Sequence, residues 1–301
     1  MLWGNIAHLT RFMSKLRGGS QPILAEASDG LLYVVKFIDN LQGPNLLFNE
    51  AVGSELYRAC GLPTPNWTPL LATQPFIEEN PGMWMQTADR CIRPNSGLCF
   101  GSQFHNGKGR KLLEILPGNS FLRVRDRANF WLAWIIDICA EHADNRQALF
   151  LQSAIGELEA RFVDHGHLFG GPNGDESPRI LKSKYLDPRI YPSVSFQQLL
   201  DFQRVALAMD PERIWRTAAN LPDEWKTESA LRRCGQCLER VSSSNYLRNV
   251  LDMICEVQQR AGQFVGTGDF PSGRQPALSV LRTGVPGAES DQFWDDHPAC
   301  A

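Results

Sequence analysis

The 301-residue chain has no surplus of either charge. Its 30 Lys and Arg stand against 33 Asp and Glu, a formal balance of −3, so the broad basic footprint of a nucleic-acid binder is missing and direct nucleic-acid binding is not expected. It has no long hydrophobic run either. The most apolar stretch, Phe130 to Ile136, is interrupted by Asp137, well short of the roughly 20 residues a bilayer span needs. The start, Met1-Leu2-Trp3-Gly4-Asn5, lacks the basic and apolar regions of a secretory leader, which predicts a cytoplasmic chain without a membrane partner. A cysteine framework is absent too: the eight cysteines, at 60, 91, 99, 139, 234, 237, 255 and 300, are scattered as in a reduced protein. Cys234 and Cys237 form a lone CxxC with no second pair at zinc spacing, and are read as helix-surface or core thiols. No repeat or low-complexity block organises the chain.

What remains is 43% hydrophobic residues, enough for one large core or two lobes, and a change of character about a third of the way along. Residues 1–105 are rich in β-branched and aromatic runs broken by turn formers. Ile23 to Ala27 and Leu31 to Ile38 read as a hairpin around Asp29-Gly30, preceded by a glycine loop at 17–22. Residues 45–60 carry a helical period that stops at Gly61-Leu62-Pro63. Beyond 105 the pattern is mainly helical: a long helix over 120–141, a short strand pair at 148–151 and 160–163, then helices near 195–209, 211–219, 222–241 and 244–262. The Gly- and Pro-punctuated residues 263–301 read as a tail. The expected organisation is therefore a β-rich lobe (1–105), a helical lobe (106–262) and the tail.

Four features can carry chemistry. Gly18-Gly19-Ser20 either makes an ordinary turn or, lacking Cβ atoms at two positions, brings backbone N–H groups close to phosphate oxygens. Lys36, inside an apolar strand, either reaches solvent or points inward to a partner; Glu50, fourteen residues on in the next helix, is a candidate to hold it before nucleotide phosphates. The polar run from Glu141 to Gln147 follows the most apolar stretch, and Asp144 in it could align a hydroxyl and accept its proton. Asp164 stands at a strand end before His165-Gly166-His167, a natural place for a magnesium ligand. Zinc at the two histidines is disfavoured for want of a third ligand at recognisable spacing. The order of these features, with two aspartates bridged by a hairpin, is a phosphoryl-transfer layout.

On GGSQP (18–22), YVVKF (33–37), FNE through GLPTP (48–65), CFGSQF (99–104), HADNRQALF (142–150) and FVDHGHLF (162–169), the chain resembles the HipA-like kinases of bacteria. The resemblance implies a bilobal α+β protein-kinase-like fold that uses ATP and Mg²⁺ to phosphorylate a hydroxyl, with a protein Ser or Thr as the expected acceptor and a regulatory protein partner possible. It implies that Gly18, Gly19, Ser20, Gln21 and Lys36 bind the nucleotide, that Asp144 is catalytic with Lys36 and Glu50, that Asp164 holds the metal, and that 99–104 lies by the adenine. The sequence departs from the kinase pattern where an asparagine is usual five residues after the catalytic aspartate: that position is Leu149. Gln147 is the expected second metal ligand, with Asn145 the other candidate; the alternative is a catalytically weak or inactive nucleotide-binding pseudokinase acting as a regulatory or toxin–antitoxin module. Arg146 is expected to balance the cleft carboxylates together with Lys36.

Overall fold

Alternation of side chains builds the first part of the chain as a sheet. Strands β1 (Leu9–Lys15), β2 (Ile23–Ala27) and β3 (Leu32–Lys36) form an antiparallel meander in which Ile23, Ala25, Tyr33 and Val35 are buried on one face. The β2–β3 turn closes at Asp29-Gly30 as expected: Gly30 takes φ 76°, and the Asp29 carboxylate accepts from the Leu31 N–H at 3.0 Å. The structure, a computed structural model, describes residues 6–87, 91–104, 111–175 and 183–260. The tail expected at 263–301 lies outside them.

Helix α1 (Leu46–Ala59) follows and ends where the sequence predicts, with Gly61 at φ 74° and its N–H bonded to the Arg58 carbonyl. Strand β4 (Trp67–Ala72), the short helix α2 (Gln74–Glu79), a two-stranded ribbon β5 (Met85–Gln86) and β6 (Cys91–Ile92), and strand β7 (Gly97–Gln103) complete this region. The main sheet is antiparallel in the order β1-β2-β3-β7-β4, so β7 lies beside β3 and pairs Phe100 with Lys36. Its apolar face closes over Leu9, Val35, Phe37, Leu70, Phe76 and Cys99.

The rest is mainly helical. Strand β8 (Leu112–Leu113) joins β9 (Gln147–Gln152) and β10 (Leu158–Val163) in a three-stranded sheet, order β10-β9-β8. Helix α3 (Asn129–Cys139) is buried over almost its whole length; α4 (Phe196–Leu207), α6 (Glu228–Val241) and α7 (Ser244–Arg260) pack around it, and α5 (Pro211–Asn220) packs on α1 and α6. Among the described residues no helix is long and apolar enough to cross a membrane. Cys234 and Cys237 lie in the α6 core, where burial pushes the Cys234 thiol up to about 12 and Cys237 well above its usual range.

The single helix expected over 120–141 is not formed. Residues Ser120–Arg123 make one 3-10 turn, Val124 bridges Leu158, and Asp126 turns left-handed (φ 51°) before α3 begins. The physical reason lies in the strand pair: the Arg125 N–H donates to the Leu158 carbonyl at 2.9 Å, a bond that a helix would have withdrawn. Likewise 222–241 is divided, because the Thr227 hydroxyl caps α6 by accepting from the Ala230 N–H at 3.0 Å.

Helix α1 touches the segment after β10 so closely that a Cβ on Gly53 would stand 2.6 Å from both His165 Cβ and Leu168 Cδ1. Gly53→Ala should therefore destabilise the fold by about 1–3 kcal/mol through overpacking, overriding the gain of roughly 1 kcal/mol that alanine brings to an open helix position. Urea denaturation gives the sign directly, and a stabilised variant would refute the contact.

Candidate active site

A cavity of about 1090 Å³ opens between the main sheet and the helical region. Strand periodicity decides which side chains face it. On β3, Tyr33 and Val35 enter the core, so Val34 and Lys36 point the other way and line the cavity. On β9 and β10 the register pairs Gln147 with Val163 and Leu149 with Arg161, and all four line the opposite wall. Phe100, Ser102, Gln103 and Phe104, from the stretch expected beside the adenine, also line the cavity.

Lys36, Glu50 and Asp164 meet at the inner end. The Lys36 ammonium donates to Glu50 and, at 2.7 Å, to Asp164. Lys36 and Glu50 are buried, whereas the Asp164 side chain keeps 24% of its surface exposed. Glu50 also accepts from the backbone N–H groups of His165 (3.1 Å) and Gly166 (3.0 Å). Burial alone would lower the Lys36 pKa, but the two carboxylates outweigh it and raise the pKa above its usual value. Burial would raise Asp164, and the adjacent Lys36 cation reverses this, holding its carboxyl well below the usual carboxylate range. Glu50, the most desolvated of the three, is raised. Asp164 itself sits at φ 60°, a left-handed conformation that turns the chain sharply at the end of β10.

Asp144 lines the same cavity, partly exposed, with one carboxylate oxygen accepting from the Asn145 N–H at 2.7 Å. Gln147 is exposed at the first position of β9, opposite the residue that precedes Asp164. Leu149, two residues on and facing the same way, contributes an apolar surface.

Arg146 lines the cavity and feels the Asp164 charge, but its ion pair is with Asp137 rather than with a cleft carboxylate. It is buried and makes a two-pronged ion pair with Asp137 of α3 (2.9 and 2.6 Å), which also accepts from the Tyr57 hydroxyl at 2.5 Å. The guanidinium further donates to the Val163 carbonyl (3.1 Å), the Asp164 carbonyl (3.4 Å) and His165 Nδ1 (3.3 Å). Burial, and then the Arg146 charge, push the His165 pKa well down, so its ring is neutral. The apparent flaw that Asp137 makes in an apolar run was the one sequence signal for this network.

The glycine loop divides. Gly18 (φ 132°) and Ser20 line the cavity; Gly19 and Gln21 do not. Gln21, at φ 44°, instead turns its amide to β5, donating to the Gln86 carbonyl (2.8 Å) and accepting from the Gln86 N–H (2.7 Å). Lys15 and Arg17, which flank the loop and were not singled out from the sequence, line the cavity as well, Lys15 resting 3.1 Å from the centre of the Trp84 ring.

No protein-family model matches the chain, and a search of the curated proteins finds no match. Solved structures do match in fold. Hydra Fam20, solved with sugar, is similar with a TM-score of 0.50 at 11% identity, over 86% of this chain and 89% of that one. The Helicobacter pylori proinflammatory kinase CtkA is similar with a TM-score of 0.50 at 13% identity, over 80% and 95%. The architecture is thus a kinase-like fold, an N-terminal antiparallel sheet followed by a mostly helical region.

Because folding favours the ionised form of Asp164, its contribution to stability is full above the unfolded carboxyl value of about 4 and is lost as pH falls toward the lower folded value. The stability difference between wild type and Asp164→Asn, measured by urea denaturation across a pH series, should be constant above about pH 5 and shrink below about pH 4. A difference that grows on acidification would contradict the pairing with Lys36.

Proposed function

We propose that this chain is an ATP- and Mg²⁺-dependent kinase that transfers the γ-phosphoryl group to a hydroxyl, the acceptor being a Ser or Thr of a protein. The observation that carries this reading is the buried Lys36 ammonium, held between Glu50 and Asp164 on the wall of a cavity that also receives Asp144 and Gln147. A desolvated lysine fixed by a helix glutamate presents a positioned cation to phosphate oxygens. Lys15 and Arg17 add positive charge on the glycine-loop side. Within kinase-like folds, the HADNRQ and FVDHGH pair supports a HipA-like type.

The donor set fits a hard cation: a carboxylate at Asp164 and an amide oxygen available at Gln147, both oxygen ligands and both at the cavity wall. Bound Mg²⁺ would neutralise phosphate charge there. Gly18 and Ser20 would approach the phosphates, while Gln21 holds the loop to β5. Asp144 would orient the acceptor hydroxyl and take its proton late in transfer. Phe100, Val34 and Leu149 offer apolar surface for a base.

A second reading, a nucleotide-binding module without transfer, rests on one observation: Leu149 stands where the resembled kinases carry asparagine. Against it stands Gln147, two residues earlier, which pairs with Val163 at the start of β9 and offers an amide oxygen as the proposed second ligand. Under either reading a regulatory protein partner is compatible with the exposed helical surface.

Asp144→Ala should lower phosphate transfer by about 10²–10⁴-fold while nucleotide affinity by calorimetry stays near wild type; unaltered transfer would remove Asp144 from the reaction. Mass spectrometry after incubation with ATP and Mg²⁺ reads the transfer itself, and nucleotide binding without any phosphorylated product would favour the module. Lys36→Ala should weaken ATP binding, and unchanged affinity would show that its ammonium does not meet the phosphates.

A further inference from the structure

We propose that Asn49 is a positioning residue for Asp164: from the neighbouring face of α1 it fixes the chain that leaves Asp164 and so holds that carboxylate at the cavity wall. This rests on the reading of Asp164 as the metal-binding carboxylate. Asn49 is fully buried, and its amide nitrogen lies 2.9 Å from the Gly166 carbonyl, 2.8 Å from that of Leu168 and 3.1 Å from that of Gly171. Carbonyl oxygens only accept, so the amide must present nitrogen to all three, sharing two hydrogens among them.

The segment needs such a hold. Phe169, Gly170 and Gly171 all take left-handed φ values (57°, 77° and 79°), and although turn bonds such as Leu168 N–H to the His165 carbonyl (3.0 Å) and Gly171 N–H to the Leu168 carbonyl (3.1 Å) shape the path, the Gly166 carbonyl has Asn49 as its partner. Asn49 receives its carbonyls, and the adjacent Glu50 receives the N–H groups of His165 and Gly166. The stripe that does this is Leu46, Asn49, Glu50 and Gly53, spaced i, i+3, i+4 and i+7 on one side of α1. Fit is tight at both ends: a Cβ on Gly166 would stand 2.4 Å from Leu46 Cδ1, and one on Gly53 would strike His165. A helix face that is elsewhere apolar has thus given two positions to polar side chains and one to glycine, all against the backbone that follows Asp164. Turning α1 away would break the bonds of Asn49 and Glu50 to this segment.

The test compares ADP binding with and without Mg²⁺, by calorimetry, in wild type and Asn49→Asp. That substitution keeps the shape but sets acceptors against three carbonyls. The Mg²⁺-dependent gain in ADP affinity should fall by about tenfold or more, as for other groups that orient a metal ligand, while Mg²⁺-free ADP affinity stays within about twofold. In the metal-free protein, amide exchange at His165 and Gly166 should accelerate. Val241→Ala, a core truncation in α6, separates stability from positioning: it should lower Tm and leave the Mg²⁺ gain intact. If Asn49→Asp does not fold, Asn49→Ser, with a single donor, is read the same way. A wild-type Mg²⁺ gain that persists in the folded variants overturns the role of Asn49 alone. Absence of any Mg²⁺ gain in wild type overturns the Asp164 reading and this inference with it.

Discussion

The structure turns on a buried ammonium. A lysine taken out of water is costly unless a carboxylate meets it, and Lys36 meets two. Those two come from different elements: Glu50 from the first turns of α1, and Asp164 from the end of β10, 128 residues along the chain from Lys36. Satisfying one cation therefore fixes three parts of the fold relative to each other. Glu50 does not serve Lys36 alone either, since it also accepts from the backbone N–H groups of His165 and Gly166. The result is a closed ring of partners, from lysine to helix carboxylate to loop backbone to aspartate and back to lysine.

A second buried ion pair supports the first from below. Asp137 and Arg146 are removed from solvent and pair through two nitrogens, with Tyr57 of α1 completing the aspartate's partners. Alone, such a pair is weak evidence of stability, because desolvation offsets most of the attraction. Its geometric effect is larger than its energetic one. The Arg146 guanidinium reaches the carbonyls of Val163 and Asp164 and the ring of His165, so the backbone that carries Asp164 has a second hold besides the Lys36 contact to its side chain. Arg146 thus braces the backbone of the carboxylate, while Lys36, Lys15, Arg17 and Arg161 also bring positive charge to the cavity wall.

Local features were legible from the sequence, and features made by the meeting of distant segments were not. The Asp29-Gly30 turn, the stop of α1 at Gly61 and the pairing of Lys36 with Glu50 each depend on a short stretch or on one strand facing one helix. The fates of Gln21 and Arg146 depended on partners, Gln86 and Asp137, whose positions no spacing rule supplies. Asn49 gave no signal because an asparagine inside a helical run looks like an indifferent surface choice until the loop carbonyls arrive. The split of 120–141 has the same origin: its residues suit a helix, and a strand at Leu158 claims the Arg125 N–H instead.

Leu149 shows how register revises a motif. Counted along the chain, it occupies the place of a metal-binding asparagine and suggests a missing ligand. Counted across the hairpin, the residue that stands opposite Val163, next to Asp164, is Gln147. Strand alternation then sends Leu149 to the same wall two residues on, where it adds apolar surface to the cavity. If the stretch between Asp144 and the hairpin is two residues shorter than the motif assumes, the proposed reading has an amide at the first position of β9 and an apolar side chain two residues on. On the proposed kinase reading, the strand pairing, more than the count from Asp144, decides which residue stands at the mouth of the hairpin.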